Sequence, residues 1–358
     1  MIEGASSIEP RPRTLIVTAN LKDVVGNAVD SSIVNEVSNY ELFTDGRVVS
    51  VRLNRPDLVI ERSLLVRHLL QRAETSGAKL LMGRRFVKLE GDDHTARVVT
   101  VRPNGGGAET IAAQTIIGAD GAFSAVARAA GWPQQPTAPL VQAIVKLPTH
   151  LKPDTARVWF LPGETPYFFW LIPESPSRAA VGLIGDDPRD IRLRLERFLE
   201  RQRLLPLEFQ AARIPLYTGW VPHHKRLYSA DVYLVGDAAG HVKVTTVGGI
   251  VTGFRGAQAV AHAIENGGRS EQLRALRREL DLHLVMRKAL HGFNQNDYSN
   301  LFDLLGVRGT RLIGKYTRDE AARVIFNVCM ARPQLLLLGL RRWLLADFPR
   351  RSPHVQLN

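Results

Sequence analysis

The alternation of apolar and polar positions divides the chain into segments of two periods. Over 58–77 the apolar positions recur at helical spacing, with Leu64, Leu65, His68, Leu69 and Ala73 along one side and Gly77 as a stop. Short runs at 79–81 and 86–89 predict strands, and 97–102 with 110–113 predict a hairpin around the turn PNGGG at 103–107. A short apolar run at 115–119 ends on Asp120-Gly121 and is followed by a helical pattern at 124–130. From about 140 to 185, four β-rich runs are separated by Pro, Gly and Ser, the pattern of an antiparallel sheet. A charged amphipathic helix is predicted over 191–205, and a strand over 231–235 that ends on Gly236-Asp237. Helical spacing then covers 248–265 and everything beyond 270, with breaks near 306–310 and at Pro333. The order is a βα unit, a sheet, a second βα unit and helices, which predicts a mixed α/β fold. Natural divisions fall at 1–138, 139–229, 230–266 and 267–358.

Composition narrows the classes. With 45% hydrophobic and 23% charged residues over 358 positions, the chain is an ordinary globular protein long enough for two domains. No apolar run reaches the roughly 18 residues of a membrane-spanning helix, and the first residues lack a signal-type stretch. Cys329 is the single cysteine, so an internal disulfide framework and a multi-cysteine zinc site are excluded. A cytoplasmic setting is expected. The 47 basic and 35 acidic residues leave a net charge of +12, suited to nucleic acid, anionic lipid or a phosphorylated ligand. No zinc-finger spacing or RNA-recognition signature occurs, so no nucleic-acid partner is expected. No metal is expected either, for no His/Asp/Glu group has ligand spacing, and a G-x-S-x-G elbow is missing. Gly248 and Gly253 have P-loop spacing, but Phe254-Arg255 stands where Lys-Ser/Thr is required.

Candidate chemistry concentrates at two acidic corners. In VGDAAGHVKVTTVGGI at 235–250, Gly236-Asp237 sits at the C-terminal end of a predicted strand. Gly248-Gly249 then opens a helix whose first N–H groups have no internal partner and suit an anion. A carboxylate for sugar-like hydroxyls beside a positive helix end fits a flavin, with its ribityl chain and its electron-rich N1–C2=O edge. The plainer alternative is an N-cap aspartate with packing glycines. IIGADGAFS at 116–124 is a second corner, with Asp120 ending a strand and Ser124 able to cap the helix behind it. Loop residues His241 and Lys243 are expected in solvent, or else as charge beside the flavin.

These segments resemble the flavoprotein hydroxylase superfamily and, within it, the geranylgeranyl reductase family. VGDAAG…GGI is similar to that family's flavin-contacting motif, and IIGADGAFS to the superfamily's DG motif. VIERSLLVRHLLQRAETSGA at 59–78 resembles the stretch where an arginine, here Arg62, opens a helix and contacts FAD. PYFFWLIPES at 166–175 resembles the aromatic-Trp-Pro motif of the substrate cavity, and IPLYTGW at 214–220 the strand before the flavin motif. The C-terminal helices resemble the family's tail. The resemblance implies FAD as cofactor, held by Glu3, Arg62, Val87, Asp120, Gly236, Asp237, Gly248, Gly249 and Ile250. It assigns 1–138 and 230–266 to two parts of an incomplete Rossmann-like FAD-binding domain. By the same match 139–229 is an inserted substrate sheet and 267–358 a helical region. The family's fingerprint G-x-G-x-x-G occurs nowhere in the sequence. MIEGA resembles the end of the second strand of that unit, with Glu3 as its ribose-binding acid. About 30 residues of the family pattern would then precede it. A solvated terminal residue is the alternative for Glu3.

The implied chemistry is hydride transfer from reduced flavin to a prenyl double bond on a lipid or quinone precursor. Tyr167, Phe168, Trp170 and Pro173 are the candidate cavity residues, and an ordinary sheet core is the alternative reading of the same aromatics. At least one of Phe168 and Trp170 is expected to face the flavin, since they share a strand face. Tyr167, His241 or water would supply the proton. The electron donor is left open between NADPH, ferredoxin and a deazaflavin. Phe168, Trp170, Ile172 and Pro173 come within one residue of the W-x-W-x-I-P motif of halogenases. An oxygen-using hydroxylase or halogenase is therefore the rival enzyme reading, and a fragment unable to hold FAD the non-enzymatic one. The Leu-rich tail at 333–349, with Arg341, Arg342, Trp343 and Phe348, suggests peripheral membrane contact.

Overall fold

The computed structural model describes residues 1–7, 13–102 and 106–345. At the start, Ile2 pairs in parallel with Leu81, and the Glu3 N–H donates to the Leu81 carbonyl at 3.0 Å. Strand β1 (Thr14–Val17) and helix α1 (Asn20–Val25) lead into a long hairpin, β2 (Ile33–Thr44) and β3 (Arg47–Glu61), which turns at Asp45-Gly46. Helix α2 (Arg62–Thr75) begins four residues later than the periodicity predicts. Leu58, Val59 and Ile60 are all buried and extend β3. A short apolar run covered on both faces carries no period that separates strand from helix. The boundary is set by Glu61, whose carboxylate accepts from the Ser63 N–H at 3.1 Å and caps α2.

Strands β4 (Arg85–Gly91), β5 (Ala96–Arg102) and β6 (Gly106–Ala112) form an antiparallel sheet, as the hairpin pattern predicts. Residues 103–105 of its turn lie outside the described residues. Next come β7 (Thr115–Gly118), α3 (Ala125–Ala129), β8 (Thr137–Lys146), β9 (Thr155–Trp159), β10 (Phe169–Ser175), β11 (Arg178–Ile184), α4 (Ile191–Arg201) and β12 (Pro206–Pro215). They are followed by β13 (His224–Leu227), β14 (Ala230–Leu234) and helices α5 (Ile250–Glu265), α6 (Glu271–His291), α7 (Gln295–Lys315), α8 (Ala321–Ala331) and α9 (Gln334–Leu345). Helix α7 breaks at Gly306, whose φ of 47° and ψ of −168° are not helical, where the pattern places an interruption. The expected Phe348 and the side chains of Arg341, Arg342 and Trp343 lie outside what is described.

The eight-stranded sheet runs β1-β3-β2-β9-β10-β11-β8-β12. It is antiparallel except for the parallel pair β2–β9. Strands from 14–61 thus join those from 137–215, an extension that the local patterns do not reveal. Period-two alternation gives its two faces different partners. Phe169, Leu171 and Leu183 face α4, where Phe198 stacks on Phe169 at 4.4 Å. Phe168, Trp170 and Ile172 face the other way, against Leu276, Leu280 and Leu284 of α6. Gly182, paired with Trp170 across β10 and β11, makes room for that ring, since a Cβ there would come 2.5 Å from Trp170 Cζ2.

Candidate functional site

The two acidic corners lie side by side. Strands β7 and β14 pair in parallel with Gly118 opposite Leu234, and the Val235 N–H donates to the Gly118 carbonyl at 3.0 Å. Both chains then leave the sheet at the same edge, one into Asp120 and the other into Gly236-Asp237. The Asp120 carboxylate is exposed and accepts from the N–H groups of Ala125 at 2.7 Å and Val126 at 3.1 Å, and from the Ser124 hydroxyl. It shares with Ser124, which accepts from Ala127 N–H at 2.9 Å, the capping of α3.

Gly236, with φ of +59°, starts a single 3-10 turn that Gly240 closes in the left-handed conformation at φ +70°. The His241 N–H returns to the Gly236 carbonyl at 3.0 Å, and the Lys243 N–H donates to the Gly248 carbonyl at 3.1 Å. The loop therefore folds back onto the start of α5. Gly249, Gly253 and Gly256, spaced four and three apart, put one bare helical face against it. A Cβ at Gly249 would lie 3.1 Å from Val242 Cγ2 and 3.2 Å from Asp237 Oδ1, and one at Gly253 3.5 Å from Gly236 Cα. A methyl group at Gly256 would overlap the His241 imidazole. Gly256→Ala is accordingly expected to cost about 1–3 kcal/mol of stability and to lower cofactor occupancy, read by thermal melting and by flavin absorbance.

The Asp237 carboxylate stands half-buried at the mouth of this cradle. Among the described residues no donor reaches its carboxylate, and burial alone pushes its pKa up. A desolvated carboxylate without a donor is costly. Beside it, the first turn of the 16-residue α5 presents unpaired N–H groups and the positive end of the helix dipole. A ligand that brings hydroxyl donors to Asp237 and an electron-rich edge to Gly248, Gly249 and Ile250 satisfies both. The residues present therefore fit a flavin.

The other expected contacts lie on elements that share hydrophobic cores with these corners. Arg62 is exposed at the first position of α2, with its N–H on the Arg13 carbonyl at 3.1 Å. Helices α2 and α5 share one core, in which Leu58, Ile60 and Leu65 meet Ile250, Val251 and Phe254. Glu3 and Val87 are both exposed. Their neighbours Ile2 and Phe86 pack with Ile116, Leu234 and Ala238, so the pair stands at the rim of the core beneath the corners. Glu3 Oε1 accepts from the Ala5 N–H at 2.9 Å. Tyr167, Phe168 and Trp170 share a cluster with Val244 and Val247, which brings the aromatic wall against the loop that follows Asp237. Strand alternation puts Pro173 on the opposite face, with Phe169 and Leu171.

Two expectations are corrected. His241 and Lys243 are not solvated loop residues, for both are buried. His241 stacks on Trp220 at 5.8 Å, and burial, reinforced by His223, pulls its pKa down to about 4. The imidazolium form is therefore disfavoured at neutral pH. Lys243 is 4% exposed and ion-paired with Asp319, also buried, which takes the Thr18 hydroxyl and, at 3.1 Å, the Asn20 amide. Its charge ties the loop to the α7–α8 junction and is not free to act beside a flavin. The sequence reading also overlooked a polar stripe on α6. Glu279, His283 and Arg287 recur every four residues, and each carries a buried atom with no hydrogen-bond partner among the described residues. Arg287 donates to the Pro166 carbonyl and stands 4.7 Å over the Tyr167 ring. The i, i+4, i+8 spacing is visible in the sequence; the burial of that side of the helix is not.

Among the described residues no group of His, Cys, Asp and Glu could hold a metal ion. The family model described as FAD binding domain matches residues 53–273. The chain is 28% identical over 285 residues to digeranylgeranylglycerophospholipid reductase 2 of Methanothermobacter thermautotrophicus, covering 72% of this chain and 71% of that protein. It is 31% identical over 237 residues to digeranylgeranylglycerophospholipid reductase 2 of Methanopyrus kandleri, covering 58% of this chain and 56% of that one. A solved structure of similar fold is a geranylgeranyl bacteriochlorophyll reductase-like protein from Thermoplasma acidophilum. It has a TM-score of 0.78 and 18% identity, with 96% of this chain and 92% of that chain covered. The chain belongs to the FAD binding domain family: it is a flavin-dependent oxidoreductase, FAD is its cofactor, and its likeness within that family is to the geranylgeranyl reductases.

Proposed function

We propose that this protein reduces carbon–carbon double bonds of geranylgeranyl or other prenyl groups on lipid or quinone precursors. The observation that carries this reading is the placement of the Tyr167, Phe168 and Trp170 rings against Val244 and Val247 of the loop that begins at Asp237. FAD, when bound, supplies the hydride. The chain's part is to orient an apolar chain along these rings and to exclude water, because an isolated alkene offers no polar handle. Tyr167 is the proton donor in this reading, or holds the water that is. Burial raises its pKa, so the phenol stays protonated at neutral pH. The names of the two reductase relatives agree with a prenyl-lipid substrate. Electrons come from NADPH, ferredoxin or a deazaflavin, and the enzyme works where its lipid substrate resides, at a membrane surface.

The test is an anaerobic incubation of the photoreduced holoprotein with a geranylgeranyl lipid, followed by mass spectrometry. A gain of two hydrogens per double bond is expected. Turnover that requires oxygen or halide would instead assign a hydroxylase or halogenase. Trp170→Ala is expected to lower kcat/KM for the prenyl lipid by about 10- to 100-fold through the lost apolar contact, with flavin content unchanged.

A further inference from the structure

The C-terminal helices carry a surface that the flavin site leaves unused. Helix α8 exposes Phe326 (64%) and Met330 (69%), four residues apart, and α9 exposes Leu337 (69%) and Leu340 (56%), three apart. Single exposed apolar residues are ordinary, whereas four large ones on two consecutive short helices are not. Charge follows the same segment. Residues 304–345 hold eight Lys and Arg against two Asp and Glu, which is half of the chain's net +12. Both acids are already engaged, Asp319 by Lys243 and Glu320 by Arg323. Residues 321–345 contain four arginines and no acid at all. Arg308, Arg311, Lys315 and Arg332 are exposed and have no carboxylate partner among the described residues.

We infer that α8 and α9 form a docking surface for an anionic lipid bilayer. Phe326, Met330, Leu337 and Leu340 enter the headgroup–acyl boundary, and the unpartnered cations of the same 304–345 segment meet lipid phosphates. Charge complementarity decides between occupants. A second copy of this chain would bring the same excess of cations to the contact and be repelled. An acidic protein partner would call for neutral polar side chains to fix its register, and over 321–340 only Asn327 and Gln334 are of that kind. No helix among the described residues is long and apolar enough to cross a membrane, so the contact is interfacial. The inference deepens the lipid-surface part of the reading above, but vesicle binding is measured without turnover, so each can fail alone.

The experiment is co-sedimentation of the full chain with phosphatidylcholine vesicles, with and without phosphatidylglycerol. At least about tenfold stronger partition onto the anionic vesicles is expected, falling steeply as salt screens the surface. Phe326→Ser with Leu337→Ser is expected to weaken it by about tenfold or more, with the melting temperature unchanged. The salt series on the unaltered protein tests the charge term with no substitution at all. Equal binding to neutral vesicles, no binding to either, or insensitivity to salt would overturn the inference. So would a dimer that the double substitution dissolves in a protein that ignores vesicles.

Discussion

Asp319→Ala is expected to destabilise the protein by about 3–5 kcal/mol, because it leaves the Lys243 ammonium buried without a counter-charge. Lys243 is 4% exposed and Asp319 8%, so water cannot replace the lost partner. Because the pair joins the loop after Asp237 to the α7–α8 junction, loosened cofactor binding should accompany the lower melting temperature. Lys243→Met combined with Asp319→Leu separates charge from packing: it is expected to recover most of the stability, since an apolar pair needs no desolvated charge. Equal destabilisation by the single and double substitutions would show that shape, not charge, holds the junction. The pH dependence has a definite sign. Burial alone would raise the Asp319 carboxyl, but the Lys243 charge and hydrogen bond, with Thr18 and Arg318, outweigh it and hold it below its ordinary value. A depressed folded-state pKa stabilises above the unfolded value near 3.9 and is lost as pH falls through the folded one. On the acid side the contribution should therefore vanish only below the ordinary carboxylate range, while on the alkaline side burial lowers the Lys243 ammonium, so its charge is lost sooner than for an ordinary lysine; a pH series of melting curves would reveal both limits.

Asp237→Ala is expected to weaken FAD binding by about 10- to 100-fold, the worth of one to two hydrogen bonds to a charged group. The same substitution should leave the melting temperature of the flavin-free protein unchanged or higher. Among the described residues no donor reaches the carboxylate, and burial penalises it, so removing it relieves a cost. Loss of cofactor without loss of stability separates a ligand-binding acid from a packing one. Full FAD occupancy in the alanine variant would remove Asp237 from the site, and a fall in the flavin-free melting temperature would make it structural. Since burial raises the Asp237 pKa, FAD affinity should fall with acidification sooner than for an ordinary aspartate: the neutral acid no longer accepts from two hydroxyls. Equilibrium titrations of FAD from neutral to mildly acidic pH would measure this.

Much of the site was legible in the chain. Glycine at 249, 253 and 256, and aspartate at the ends of two apolar runs, have local causes, in helical spacing and strand termination. Neighbouring residues carry such signals, so the turn at 236–240, the helix behind it and the alternation of Phe168 and Trp170 with Phe169 could be read in advance. The start of α2 could not, because a run buried on both faces has no period, and the cap at Glu61 decided the boundary.

The sequence by itself determined the two acidic strand ends, the antiparallel pattern from 140 to 185 and the break at Gly306, since each depends on residues a few positions apart; FAD came from the resemblance of those segments to a known family. Only the tertiary structure decided that β7 and β14 set the two acidic corners side by side. It alone decided that strands from 14–61 complete the large sheet and that Lys243 spends its charge on Asp319, 76 residues away. These are long-range pairings, and their energy lies in desolvation and burial. A loop lysine reads as solvated in any local window; what removes its water is burial against Asp319 at the α7–α8 junction.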